Sequence, residues 1–455
     1  MICVLALALA CDAYVAAPRP FTPRSTTSAY FPAWRAKPLP TMPRVAPLVA
    51  VDGAGSSFLD AIPGGLAGAL LAPVGVILII TFVAGRGSLE AGAALMLVFF
   101  SGDPDERAES WFNNNELVKK AALAVTPSAW KKSYLSSGDG DVARELLDLP
   151  AWQGEEAREL EEPEAVTNVK TMQLAPIKVE GIPEPVDTCF LSVQPDRPAG
   201  SPPLVLIHGF DSSLLEFRYI IPSLVDAGLR VDAMEWWTGG FTARRPFIEA
   251  LEKDASSTPW DLIRKHQHAF IKKQLGDEKC ILLGASLGGA VAIDFAVSHP
   301  ECVDKLILMD AGGESYAQPD PFLTSLAADP VTNLFQWRAD NGLLPYPHVW
   351  SKEDSWRQAL RAYLKSGGYQ NRVNSDFIKK VPVPTFVLWG EDDDVLSTQD
   401  VFKYETDLPN CVGVTMIPKA QHAPALENPA FVAESIIAFA KGEPLPAGAP
   451  MPARA

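Results

Sequence analysis

The sequence predicts an α/β fold: a mostly parallel eight-stranded sheet with helices on both faces. Three observations predict it. Between residues 166 and 441 short apolar runs alternate with helical stretches. A glycine-flanked serine, Gly284-Ala285-Ser286-Leu287-Gly288, falls between one such run and a helical pattern, where a parallel sheet carries its ligand site. The chain's 455 residues, 47% hydrophobic and 21% charged, have room for one large α/β domain with appendages. Strands are expected over residues 172–179, 188–193, 204–207, 230–235, 281–284, 305–309, 385–389 and 412–417, with helical patterns between most of the later ones.

Composition excludes several functions. With 39 Lys+Arg against 55 Asp+Glu the net charge is −16, the wrong sign for the electrostatic term that dominates nucleic-acid binding. Six cysteines include no Cys-x-x-Cys pair and no His/Cys cluster at zinc spacing, so a reduced compartment and no metal are expected. His266 and His268 stand two apart on a helical pattern, where side chains diverge, and read as surface residues.

The N-terminal part reads as an address. An apolar run from Ile2 to Ala10 precedes small residues around Cys11 and Ala13 that suit signal-peptidase cleavage. Residues 18–50 then lack any acid while carrying Arg19, Arg24, Arg35, Lys37 and Arg44 among Ser, Thr and Pro. Residues 1–50 are therefore expected to be a cleavable bipartite presequence for plastid (chloroplast) import, the alternative being a secretory signal followed by a Pro-rich linker. Residues 61–85 contain no charge and are long enough to cross about 30 Å of hydrocarbon as a transmembrane helix. A buried helix or second targeting segment is the alternative. Basic residues follow that segment and Asp52 and Asp60 precede it, which places the C-terminal part in the stroma, anchored to a membrane. Residues 86–165 read as a membrane-proximal helical and acidic linker, 166–441 as the catalytic domain, and the Pro/Ala/Gly-rich residues 442–455 as a disordered tail.

The chemistry begins at Ser286. A serine on a sharp strand-to-helix turn needs neighbours without Cβ, which Gly284 and Gly288 supply, and the turn presents its hydroxyl at a helix N-terminus. Three further segments accompany it in order: His208-Gly209-Phe210 after the strand 204–207, Trp389-Gly390-Glu391-Asp392-Asp393 after 385–389, and Gln421-His422-Ala423-Pro424 after the last strand. A serine nucleophile needs a base and the base needs a carboxylate to fix its tautomer, roles that His422 and Asp393 are placed to fill. Asp392, Asp394 and Asp310 are rival acids, and His208 reads as structural.

On these four motifs the chain resembles the α/β-hydrolase superfamily, over about residues 202–441, and Ser366-Gly367-Gly368-Tyr369 together with His208-Gly209-Phe210-Asp211-Ser212-Ser213 makes it similar to plastid α/β-hydrolases of plants and algae. The resemblance implies the α/β-hydrolase fold with a helical cap at about 313–381, a catalytic triad of Ser286, Asp393 and His422, and an oxyanion hole formed by the backbone N–H groups of Phe210 and Leu287. It implies no cofactor. Two departures stand out: Glu235-Trp236-Trp237-Thr238-Gly239-Gly240 replaces the usual segment after the fourth strand, and Gln421 replaces the glycine before the histidine. The expected activity is hydrolysis of carboxylic esters, small or lipid-like, through an acyl-enzyme; the membrane segment and the aromatic cap, with Trp350, Trp356 and Tyr363, favour lipid-like esters. Hydrolysis of a carbon–carbon bond in a diketone, or non-catalytic ligand binding, are the alternatives. Protein partners stay open.

Overall fold

The computed structural model describes residues 147–154, 156–254, 256–313, 349–351, 353–366 and 373–454, together with Ala328, Val331, Thr332, Phe335, Gln336 and Ala339. The expected presequence (1–50), transmembrane segment (61–85), most of the linker and much of the cap lie outside these residues. Among the described residues no helix is long and apolar enough to cross a membrane.

Eight strands form one sheet: β1 (Gln173–Ile177), β2 (Val186–Val193), β3 (Leu204–Ile207), β4 (Val231–Met234), β5 (Cys280–Ala285), β6 (Val303–Met309), β7 (Thr385–Gly390) and β8 (Cys411–Ile417). Their order is β1-β2-β4-β3-β5-β6-β7-β8. β1 and β2 run antiparallel to their neighbours, and every pair from β4 to β8 is parallel. The helices are α1 (Pro163–Thr171), α2 (Ile221–Asp226), α3 (Arg245–Lys253), α4 (Pro259–Leu275), α5 (Leu287–Ser298), α6 (Asp354–Lys365), α7 (Ser375–Ile378), α8 (Asp400–Asp407), α9 (Pro424–Glu427) and α10 (Pro429–Lys441).

The residues dictate this arrangement. β3, β4, β5 and β7 are buried at every position, as strands covered on both faces must be; β3 and β5 read as apolar runs rather than alternations, while β4 carries the buried Asp232, paired with Arg230 at 2.8 Å. β1 carries Pro176, which cannot donate to a ladder and is tolerated on an edge strand. Helix starts follow local chemistry: Thr258 caps α4 by accepting from Asp261 N–H, and Asn428 caps α10 by accepting from Phe431 N–H.

Three expectations fail here. The folded unit starts before residue 166: α1 packs against β2, Leu149 and Leu160 are buried, and Glu162 pairs with the buried Arg218 at 2.8 Å. An acidic run was legible as charge, but its partner lies 56 residues away. Residues 442–454 are not a disordered tail. Ala449 bridges Met416 on β8, donating to its carbonyl at 2.9 Å, and Arg454 pairs with Glu405. Gly448 allows this approach, since a Cβ there would lie 2.3 Å from Met416 O, and the segment covers part of the sheet's exposed edge. His266 is not a surface residue: it is buried beneath β2, its Nε2 2.7 Å from Thr188 Oγ1, and burial lowers its imidazole to about 3, leaving it neutral.

Candidate active site

β5 ends at Ala285 and α5 starts at Leu287, so the chain reverses at Ser286 alone. The serine adopts φ 51° and ψ −123°, a left-handed conformation that costs a residue with a Cβ about 1–3 kcal/mol. Neighbouring backbone holds it there: Ser286 N–H donates to Met309 O at 2.9 Å, and Ser286 O accepts from Gly312 at 2.7 Å and Gly289 at 2.9 Å. The two flanking glycines are sterically required. A Cβ at Gly284 would lie 2.2 Å from Gly288 O, and one at Gly288 would lie 2.4 Å from Ile207 O. Leu287, the first residue of α5, places its N–H at a positive helix terminus beside Ser286.

The loops after β7 and β8 bring the other two groups. His422 Nε2 accepts from Ser286 Oγ at 2.8 Å, while Nδ1 donates to Asp393 Oδ2 at 3.0 Å and faces Oδ1 at 3.1 Å. Asp393 Oδ1 in turn accepts from Val395 and Leu396 N–H at 2.8 and 2.9 Å, so the carboxylate cannot rotate freely. The two loops touch at Gly390, where a Cβ would lie 2.1 Å from Gln421 O. Gln421, in place of the usual glycine, donates its backbone N–H to Glu427 at 2.6 Å, and the half-buried Glu427 carboxyl is raised by burial against that bond.

Electrostatics separate the four candidate acids. Burial would lower His422, but the Asp393 charge and hydrogen bond override it and raise the imidazole to about 9. Asp394 is raised to about 6, by burial and then by the Asp393 charge. Asp310 is raised well above the carboxylate range for the same two reasons and accepts from Gly390 N–H at 2.6 Å. Asp392 is exposed. Of the four, Asp393 is the one whose carboxylate bonds His422 among the described residues.

The loop after β3 packs directly on the serine: a Cβ at Gly209 would lie 3.1 Å from Ser286 Cβ. Gly209 N–H donates to the buried Glu216 carboxyl at 3.0 Å, which fixes the His208–Gly209 peptide, one unit before the Phe210 N–H. Sequence reasoning missed Glu216, because nothing in its local pattern marks a carboxylate that folds back seven residues. Burial raises it, against the Gly209 bond. His208 is structural: burial lowers it to about 3, Nδ1 donates to Gly209 O at 2.9 Å, and its ring stacks on Trp236 at 5.4 Å.

The unusual segment after β4 is shaped by close approaches. Gly239 abuts Ser212 O, which a Cβ would meet at 1.9 Å, and Glu235 is wholly buried, accepting from Phe241 N–H. Burial raises Glu235 to about 7 despite that bond. Aromatic rings then gather around the loop after β3: Phe210 meets Phe335 and Tyr363, each at 5.4 Å, and Tyr363 meets Trp260 at 4.8 Å and Trp236 at 6.3 Å. Trp356 on α6 donates its indole N–H to Asp211 at 2.6 Å, both side chains being buried, and so ties this cap helix to the loop.

Residues 204–435 match the profile of the alpha/beta hydrolase family. Among curated relatives, the chain is 32% identical over 266 residues to the alpha/beta hydrolase domain-containing protein VTE7 of Arabidopsis thaliana, covering 53% of this chain and 74% of that one. It is 28% identical over 252 residues to a 2-hydroxy-6-oxo-6-(2'-aminophenyl)hexa-2,4-dienoic acid hydrolase of Metapseudomonas resinovorans, covering 52% and 83%. It is 27% identical over 269 residues to the sn-1-specific diacylglycerol lipase ABHD11 of Danio rerio, covering 54% and 80%.

Proposed function

Because this chain belongs to the alpha/beta hydrolase family, we propose that it is a serine hydrolase of carboxylic esters, with lipid-like esters as its substrate class. One observation carries the reading: a continuous hydrogen-bonded line from Ser286 Oγ through His422 to Asp393, starting on a strained turn. Ser286 Oγ attacks the ester carbonyl while His422 Nε2 takes its proton, and the imidazolium is balanced by Asp393. The Phe210 and Leu287 N–H groups receive the oxyanion, Leu287 from the helix N-terminus. Collapse expels the alcohol, protonated by His422, and leaves an acyl group on Ser286. Water, deprotonated by His422, then releases the acid and restores the hydroxyl.

The substrate class rests on the apolar wall. Phe210, Phe335 and Tyr363 converge beside the proposed oxyanion hole and suit an acyl or isoprenoid chain; a relative named as a diacylglycerol lipase supports the same class. The composition of residues 1–50 supports plastid delivery, and residues 61–85 support a membrane tether that would bring the domain to such esters. Turnover of long-chain esters presented in vesicles, against short soluble esters, tests this. A clear preference for the vesicle substrate, abolished by Ser286→Ala, supports the class; equal or better turnover of the soluble ester refutes it.

Similarity to a named dienoic acid hydrolase supports a second reading, hydrolysis of a carbon–carbon bond in a diketone. Stereospecific cleavage of a synthetic vinylogous diketone would support that reading over the first, and its absence would remove it.

A further inference from the structure

At the end of the sheet opposite Ser286, the fold gathers four side chains with metal-ligating atoms. His268 lies on α4, which packs against α5. His299, Glu301 and Cys302 form the turn from the end of α5 into β6. One donor atom each from His268, Glu301 and Cys302 lies within 4.8 Å of the others. Glu301 Oε1 stands 3.3 Å from His299 Nδ1 and 3.8 Å from Cys302 Sγ. The His268 and His299 rings stack at 4.2 Å with planes 13° apart, so the fourth side chain borders the same space.

These separations have a chemical meaning. Tetrahedral zinc binds N and O at about 2.0–2.1 Å and S at about 2.3 Å, which sets neighbouring donors about 3.3–3.6 Å apart. Two of the six edges of such a tetrahedron are already near that length, and the half-buried His268 has its donor within 4.8 Å of those of Glu301 and Cys302, a gap that turning its side chain can shorten. Two imidazoles, a thiolate and a carboxylate are a borderline-soft set that suits zinc rather than calcium or magnesium, and the two anions neutralise a divalent ion. Other charges nearby are already paired: Lys272 with Asp277 at 3.0 Å, and Lys265 with Glu180 at 3.0 Å. Cys302 is buried while Glu301 is exposed, which leaves a path from solvent. The donors come from segments more than thirty residues apart, so their spacing in sequence shows nothing.

We propose that His268, His299, Glu301 and Cys302 form a zinc site that clamps α4 to the turn ending α5, the helix that Ser286 directly precedes. Binding costs the thiol its proton and links the two segments, so the ion stabilises the fold without touching the ester site. The site stands whether or not the substrate is an ester.

Cobalt(II), titrated into the reduced, metal-stripped full-length chain in detergent, reports the site directly. The proposal expects tetrahedral d–d bands with a thiolate-to-cobalt charge-transfer band, displaced by one equivalent of zinc. Cys302→Ser removes the charge-transfer band, and His268→Ala weakens affinity at least tenfold. Zinc raises the thermal midpoint by roughly 5 °C in the unsubstituted chain and not in His268→Ala. A folded unsubstituted protein without the charge-transfer band, or a band that survives Cys302→Ser, overturns the proposal. If Cys302→Ser does not fold, by circular dichroism, the partly exposed positions decide: unchanged cobalt affinity in both His268→Ala and Glu301→Gln overturns it, and weakened affinity supports it.

Discussion

Replacing Asp393 with asparagine keeps the side chain's volume but reverses what it offers His422. Val395 and Leu396 N–H hold Oδ1, so the new amide oxygen takes that place and its NH2 takes the place of Oδ2, 3.0 Å from His422 Nδ1. A donor there forces Nδ1 to accept and moves the imidazole proton to Nε2, where it cannot take the Ser286 proton. The charge is lost as well. Against burial, which lowers it, His422 is raised from 6.5 to about 9 chiefly by Asp393, which corresponds to about 3 kcal/mol of imidazolium stabilisation. That charge is worth about 10²-fold in rate, and the wrong tautomer brings the total loss in kcat/KM to about 10⁴-fold. The assay is the pH profile of ester hydrolysis. The neutral imidazole is the base, so activity of the unsubstituted enzyme rises with pH toward about 9; without the Asp393 charge the ionisation falls and the rising limb moves to lower pH. A loss below tenfold, or a limb that does not move, refutes the assignment of Asp393.

Gly288→Ala places a Cβ 2.4 and 2.5 Å from the carbonyl oxygens of Ile207 and His208, backbone atoms that cannot yield. The turn must shift, and a misplacement near 1 Å costs roughly 10²-fold in kcat, with a lowered midpoint on thermal unfolding; unaltered activity contradicts this packing. Glu235→Gln tests a buried acid held at about 7 by its burial. A carboxyl raised in the folded state contributes stability below its unfolded value of 4.5 and loses it as pH rises through about 7, so the unsubstituted protein should lose about 3 kcal/mol relative to the variant between pH 5 and 8. Urea midpoints that differ by a constant amount across that range refute it.

The sequence made some of this legible because some of it is local. A buried parallel strand is an apolar run and a serine elbow is a glycine pattern, so β3 to β8 and the positions of Ser286, Asp393 and His422 could be read from neighbouring residues. The close approaches at Gly284, Gly288 and Gly390 show why those glycines stand there. What escaped is non-local. Glu162 reads as one more charge in an acidic run until Arg218 is folded against it, and the residues after Gly442 read as low complexity until β8 offers an edge. His266 reads as a surface residue for a related reason: helical spacing shows that it and His268 diverge, but not which of them turns toward β2. Glu216 and the Trp356–Asp211 bond likewise join segments that no local pattern connects.

The central claim is that Ser286 is a nucleophile activated by His422. Covalent labelling by a fluorophosphonate, read by intact mass on the full-length chain, tests it most directly. Rapid addition of one label to the unsubstituted protein is expected, lost in Ser286→Ala and slowed by orders of magnitude in His422→Ala. A folded protein that takes no label, or that labels equally in all three forms, contradicts it.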